Sequence, residues 1–183
     1  MTMRITVSRT RKAAIVTCSA MLVFLAACGG GGGNSSGEIM KRFPVDSATE
    51  VLARKNVSTD SNISHDGKGS LRIDVKGTQT LPLYRLGDID IEEAFLVYQA
   101  SLRTENLDGE VFLEMICFFQ GKGEFFSRNF ESALSGTTDW TVRSTPFKLL
   151  AGQNPDVVEL NIYVSGSGTV WIDDIKLLKR PMN

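Results

Sequence analysis

Histidine is almost missing from this 183-residue chain, where His65 stands alone in a polar loop. Without a second histidine, or a serine, cysteine or facing acid pair at a workable spacing, hydrolytic chemistry of the nucleophile–base kind is the least favoured reading. Cysteine is scarce as well, with three. Cys18 and Cys28 fall in the N-terminal segment, so Cys117 has no intrachain partner, and its setting in VFLEMICFFQ predicts a buried, inert thiol. No apolar run reaches the roughly 20 residues a membrane-crossing helix requires. Helix signals are nearly absent too, the one modest candidate being the short DIDIEEA segment, Asp88 to Ala94. The glycine pairs Gly121/Gly123 and Gly166/Gly168 precede no helix that would cradle a phosphate, and they read as hairpin turns.

The longest apolar stretch present, Ala13 to Ala27, follows Arg4, Arg9, Arg11 and Lys12 with no acid among them. That order is a signal-peptide n-region and h-region. It ends in Leu25-Ala26-Ala27-Cys28, which resembles the lipobox of bacterial lipoproteins. The resemblance implies cleavage before Cys28 and acylation of its sulfur and new amino group, and several acyl chains together anchor a protein stably. Residues 1–27 are thus read as a lipoprotein signal peptide, and 28–37 as the lipidated cysteine with a Gly/Ser-rich tether whose mean reach is on the order of 15 to 18 Å. Gly29, in place of an aspartate after the cysteine, implies an outer-membrane lipoprotein; a Gram-positive host would make it a cell-surface one. Removing residues 1–27 takes four cations and no acid, which moves the net charge from −1 to −5. An acidic domain offers no electrostatic footprint for nucleic acid.

From residue 38 to 183, enough chain for one domain, nearly every segment alternates with period two between Gly, Asp, Asn or Pro turns. SLRIDVK, FLVYQASLRT, EVFLEMICFF, EFFSRNF, WTVRSTPFKLL, VVELNIYVSG and TVWIDDIKLL form the series, and TLPLYRL is held to an edge or a strand start by Pro82. Eight or nine antiparallel strands with no helical layer must bury their apolar faces against each other, as an all-β jelly-roll sandwich of two antiparallel sheets, with an immunoglobulin-like sandwich as runner-up.

The order SHDGKGSLRIDV, GTTDWTVRSTPFKL, VVELNIYVSGSGTVWIDDIKLL resembles the galactose-binding-domain-like jelly roll shared by many carbohydrate-binding modules, over His65 to Leu178. It implies a core strand opened by a Gly turn, a structural Trp140, and a closing strand whose aspartate holds a structural calcium. That aspartate is Asp173. Its partner acid on the opening strand is open among Glu38, Asp46 and Glu50. By alternation Asp173 shares a face with Trp171, Ile175 and Leu177, where an unpaired carboxylate is costly, so it takes either a cation or backbone and basic side-chain donors.

Ligand contacts are sought on the outward sheet face, among rings and amides. VVELNIYV turns Val158, Leu160, Ile162 and Val164 inward and leaves Glu159, Asn161 and Tyr163 outside, while EVFLEMICFF leaves Phe112, Glu114, Ile116 and Phe118 outside. If these strands are neighbours, Glu114, Asn161 and Tyr163 line a shallow site; otherwise this is an ordinary solvated face. The expectation is a lipid-anchored, non-catalytic binding module of the cell envelope for carbohydrate. The alternative is a protein-interaction or assembly lipoprotein of the outer membrane that docks an envelope protein and takes no sugar.

Overall fold

A computed structural model describes residues 37–43 and 45–182. Cys28, the signal segment and most of the tether lie outside the described residues. Among the described residues there are nine strands: β1 (Glu38–Phe43), β2 (Val57–Asp60), β3 (Ser70–Lys76), β4 (Gln79–Gly87), β5 (Ala94–Phe119), β6 (Gly123–Arg128), β7 (Leu134–Leu149), β8 (Val157–Val164) and β9 (Ser167–Pro181). All pairings are antiparallel. The only helical elements described are two single 3-10 turns, Ala48–Glu50 and Phe130–Ser132.

β5 organises the fold. Its first half pairs with β9 on one side and β7 on the other, and its second half pairs with β8 and β6. One layer therefore runs β2–β3–β9–β5–β7, with β1 continuing beside β9, and the other runs β4–β8–β5–β6. The segment Asn106–Gly109, which in sequence resembles a chain-reversing turn, instead bends a single 26-residue strand from one layer into the other. The bend is made by register shifts between Leu102 and Val111, with Asn106 at φ 50° and Gly109 at φ 144°. The Gly166–Gly168 turn lies against that bend, and Ser165 donates its amide to the Glu110 carbonyl at 2.9 Å.

Every member of the main apolar cluster falls between Phe43 and Leu177. Leu71, Ile73 and Val75 enter it, as do Val111, Leu113, Met115 and Cys117, and Val158, Leu160, Ile162 and Val164, as alternation predicts. Each such valine, leucine, isoleucine or methionine contributes about 1.5–3 kcal/mol on burial, and the described core is completed by residues of this segment alone. Pro82 sits on β4, an edge strand. Burial pushes the Cys117 thiol up to about 12, which suppresses thiolate chemistry.

Two further expectations are corrected. Asp88–Ala94 is not a helix: Asp88, Asp90 and Glu93 all have positive φ, near 50°, which breaks any helical run. The simple alternation of β9 also fails. Val170 and Ile172 point into the core, then Ile175 and Leu177 do, because Asp174 adopts φ 50° in a bulge opposite Ser101 and Gln99. Asp173 therefore shares a face with Trp171 but not with Ile175 or Leu177.

Candidate ligand-binding face

Strand register brings the sequence candidates together on the outward face of the β4–β8–β5–β6 layer. Pro82, Asn161, Glu114 and Arg128 stand side by side across the four strands. In the next row Thr80 pairs with Tyr163, and Tyr163 with Phe112. The Phe112 and Tyr163 rings stack at 4.4 Å with 14° between planes, and Phe130 meets Phe112 edge-on at 5.0 Å. Stacked and edge-on rings of this kind hold each other in place beyond their area burial.

Glu114 and Asn161 are not solvent-presented, each being only 2% exposed. A carboxylate so enclosed must be paired. Asn161 Nδ2 donates to Glu114 Oε1 at 3.0 Å, and the Arg128 guanidinium bonds Glu114 Oε2 from above. Arg128 also lies over the Phe126 ring, 4.7 Å from its centroid. Asn161 Oδ1 has no partner among the described residues. Glu114 and Asn161 thus form a floor that fixes Arg128. The hollow itself, about 220 Å³, is lined by Thr80, Glu110, Phe112, Arg128, Phe130 and Tyr163. Of the three residues read from sequence, Tyr163 alone lines the opening.

Arg128 and Phe130 escape a reading by alternation, yet a signal for Arg128 exists. The β5–β6 pairs are symmetric about Gly121 in the QGKG turn, which sets Arg128 opposite Glu114. Further along the same face Arg85 bridges Glu159 at 3.2 Å and covers the Phe118 ring at 4.9 Å.

Asp173 lies in the other layer, 2% exposed. Its Oδ2 accepts the amides of His65 at 2.7 Å and Asp66 at 3.3 Å, and its Oδ1 accepts that of Asp174 at 2.6 Å. Three N–H dipoles point their positive ends at the carboxylate. That donor set does not fit a calcium ion, which requires converging oxygens. Among the described residues no group of three or more His, Cys, Asp or Glu is placed to hold a metal. Asp173 instead pins the His65–Asp66 loop to β9. Two positions away Trp171 is 1% exposed, its indole donating to Asp60 Oδ2 at 2.9 Å, with Arg72 and Arg103 over its ring at 5.4 and 5.9 Å. The indole bond, first, and the Asn62 amide hold the Asp60 carboxyl below the usual carboxylate range.

No family model matches the chain, and no curated protein matches it significantly. Among solved structures the chain is similar to the CBM22-1 xylan-binding domain from Paenibacillus barcinonensis, at 11% identity and TM-score 0.58, over 82% of this chain and 100% of that one. It is also similar to the CBM22-1 and GH10 modules of a Clostridium thermocellum endo-1,4-β-D-xylanase complexed with xylohexaose, at 9% identity and TM-score 0.58, over 79% and 29%. A xylan-binding domain from CBM 22 follows at 7% identity and TM-score 0.54, over 81% and 98%. The fold is a jelly-roll β-sandwich shared with carbohydrate-binding modules. At such identities the likeness establishes architecture, and the immunoglobulin-like alternative is set aside.

Proposed function

We propose that this chain is a lipid-anchored, non-catalytic module of the cell envelope that binds carbohydrate on the β4–β8–β5–β6 face. One observation carries the reading: the stacked Tyr163–Phe112 pair and Phe130 border a hollow whose rim also offers Arg128, Glu110 and Thr80. A sugar presents C–H groups on one ring face and hydroxyls at its edge, so it takes rings beside hydrogen-bonding groups. The likeness to xylan-binding domains supports the same choice. With Glu114 bonded to Arg128, no acid pair is free for hydrolysis there. The anchor rests on the lipobox at Cys28 and on Gly29, which favours the outer membrane.

The test is affinity electrophoresis and calorimetry of residues 29–183 on soluble xylans, galactans and peptidoglycan fragments. Saturable binding that Tyr163→Ala weakens supports the reading. A folded domain that binds none at millimolar ligand sinks it.

A further inference from the structure

The β5–β6 hairpin carries phenylalanine on both faces, Phe118 and Phe126 outward and Phe119 and Phe125 on the other side. A strand in a two-layer sandwich buries only one face, so such a hairpin leaves ring surface in water however it packs. Phe125 and Phe126 are each 48% exposed. Phe119, Phe125 and Phe147 surround a hollow of about 200 Å³ rimmed by Lys122 and Lys148. Beside it Leu150, also 48% exposed, donates its amide to Gln153, which lines the same hollow.

Strand register shows which end of the domain this is. Glu38 pairs with Lys179, Lys179 with Leu96, and Leu96 with Phe147. Three strand spacings, about 15 Å, separate the start of β1 from the aromatic cluster. Glu38 is ten residues on from Cys28, a contour of at most about 35 Å. A bilayer that holds an acyl group on Cys28 is therefore within reach of the hairpin.

We propose that this end of the domain docks on the bilayer surface, with Phe125, Phe147 and Leu150 meeting the acyl boundary and Lys122 and Lys148 meeting lipid phosphates. The proposal rests on the lipid anchor proposed above. The tether favours a lipid over a second copy, since it ends three strands from this cluster and keeps the bilayer within its reach; Lys122 and Lys148 then offer the rim's contacts to phosphate although Glu124 stands beside Phe125 and the chain as a whole carries −5. Acyl chains at one point leave the domain free to rotate; a second contact fixes its orientation. Phe112 stands seven residues from Phe119 on β5, about 23 Å, so docking holds the glycan face clear of the headgroups.

The experiment floats residues 29–183, which contain the whole core, with phosphatidylglycerol/phosphatidylcholine vesicles and with phosphatidylcholine alone. Partition onto the anionic vesicles is expected, reduced at least about fivefold by Phe125→Ser and by Lys122→Glu/Lys148→Glu. Emission from a Phe125→Trp variant is expected to shift to the blue on vesicle addition. Equal flotation of wild type and F125S, no flotation at all, or a dimer abolished by F125S in place of lipid binding overturns the docking. Fatty-acid labelling of the full chain and its Cys28→Ser variant separates the two readings. Labelling without flotation removes the docking alone, and flotation without labelling removes the anchor and leaves the docking standing.

Discussion

Arg128 and Glu114 face each other across the β5–β6 hairpin, and the exposed guanidinium caps a carboxylate that is only 2% exposed. The pair is asymmetric. Arg128→Ala leaves a buried charge with only Asn161 as partner, whereas Glu114→Gln keeps an acceptor for that amide. Urea denaturation is expected to show a loss of about 2–3 kcal/mol for R128A and clearly less for E114Q. Equal losses would mean that the carboxylate is not held as described.

At the opening, Tyr163→Ala removes one ring of the stack while the strand keeps its backbone pairing. Affinity for a bound glycan is expected to fall about tenfold, with circular dichroism unchanged. Unaltered affinity would move the ligand away from this hollow.

For Asp173, the amide donors predict that a chelator leaves the melting temperature unchanged. Asp173→Ala removes the shared acceptor of three backbone N–H groups, two of them on the exposed His65–Asp66 loop, and is expected to cost about 1.5–3 kcal/mol. A melting temperature that drops on chelation would reinstate the calcium implied by the sequence resemblance.

Acid sensitivity follows from Asp60. Its carboxyl is lowered in the folded state relative to about 3.8 when unfolded, so its contribution is complete above that value and disappears as pH falls through the lower folded one. Asp60→Asn should flatten the stability curve between roughly pH 5 and 2, and Trp171→Phe should do so in part. A variant curve parallel to wild type in that window contradicts the assignment.

Two glycines give opposite results on substitution. A Cβ on Gly166, at φ 82°, would overlap the Asp108 carbonyl oxygen, so Gly166→Ala is expected to cost more than about 4 kcal/mol or prevent folding. Gly121, at φ 72°, has nothing within 4 Å, and Gly121→Ala should cost about 1 kcal/mol. Similar losses at both would mean that the turn after β8 does not lie against the β5 bend.

By itself the sequence determined the class of fold and the inward face of β3, β8 and the second half of β5, because alternation is a local property of a pleated strand and survives wherever the pleat is regular. The same logic about Gly121 would have paired Arg128 with Glu114, since a tight hairpin sets its own register. Tertiary structure decided the rest. The neighbours Asn161 and Glu114 lie 47 residues apart, with β6 and β7 between them, and no local pattern specifies that register. The bulge at Asp174 reverses the parity of β9 where its neighbour on one side changes from β3, paired up to Ile172, to β1, paired from Ile175. No periodicity announces it. Whether Asp173 meets a cation or amides depended on where the His65–Asp66 loop folds back, more than a hundred residues away along the chain, because a carboxylate takes its character from what surrounds it.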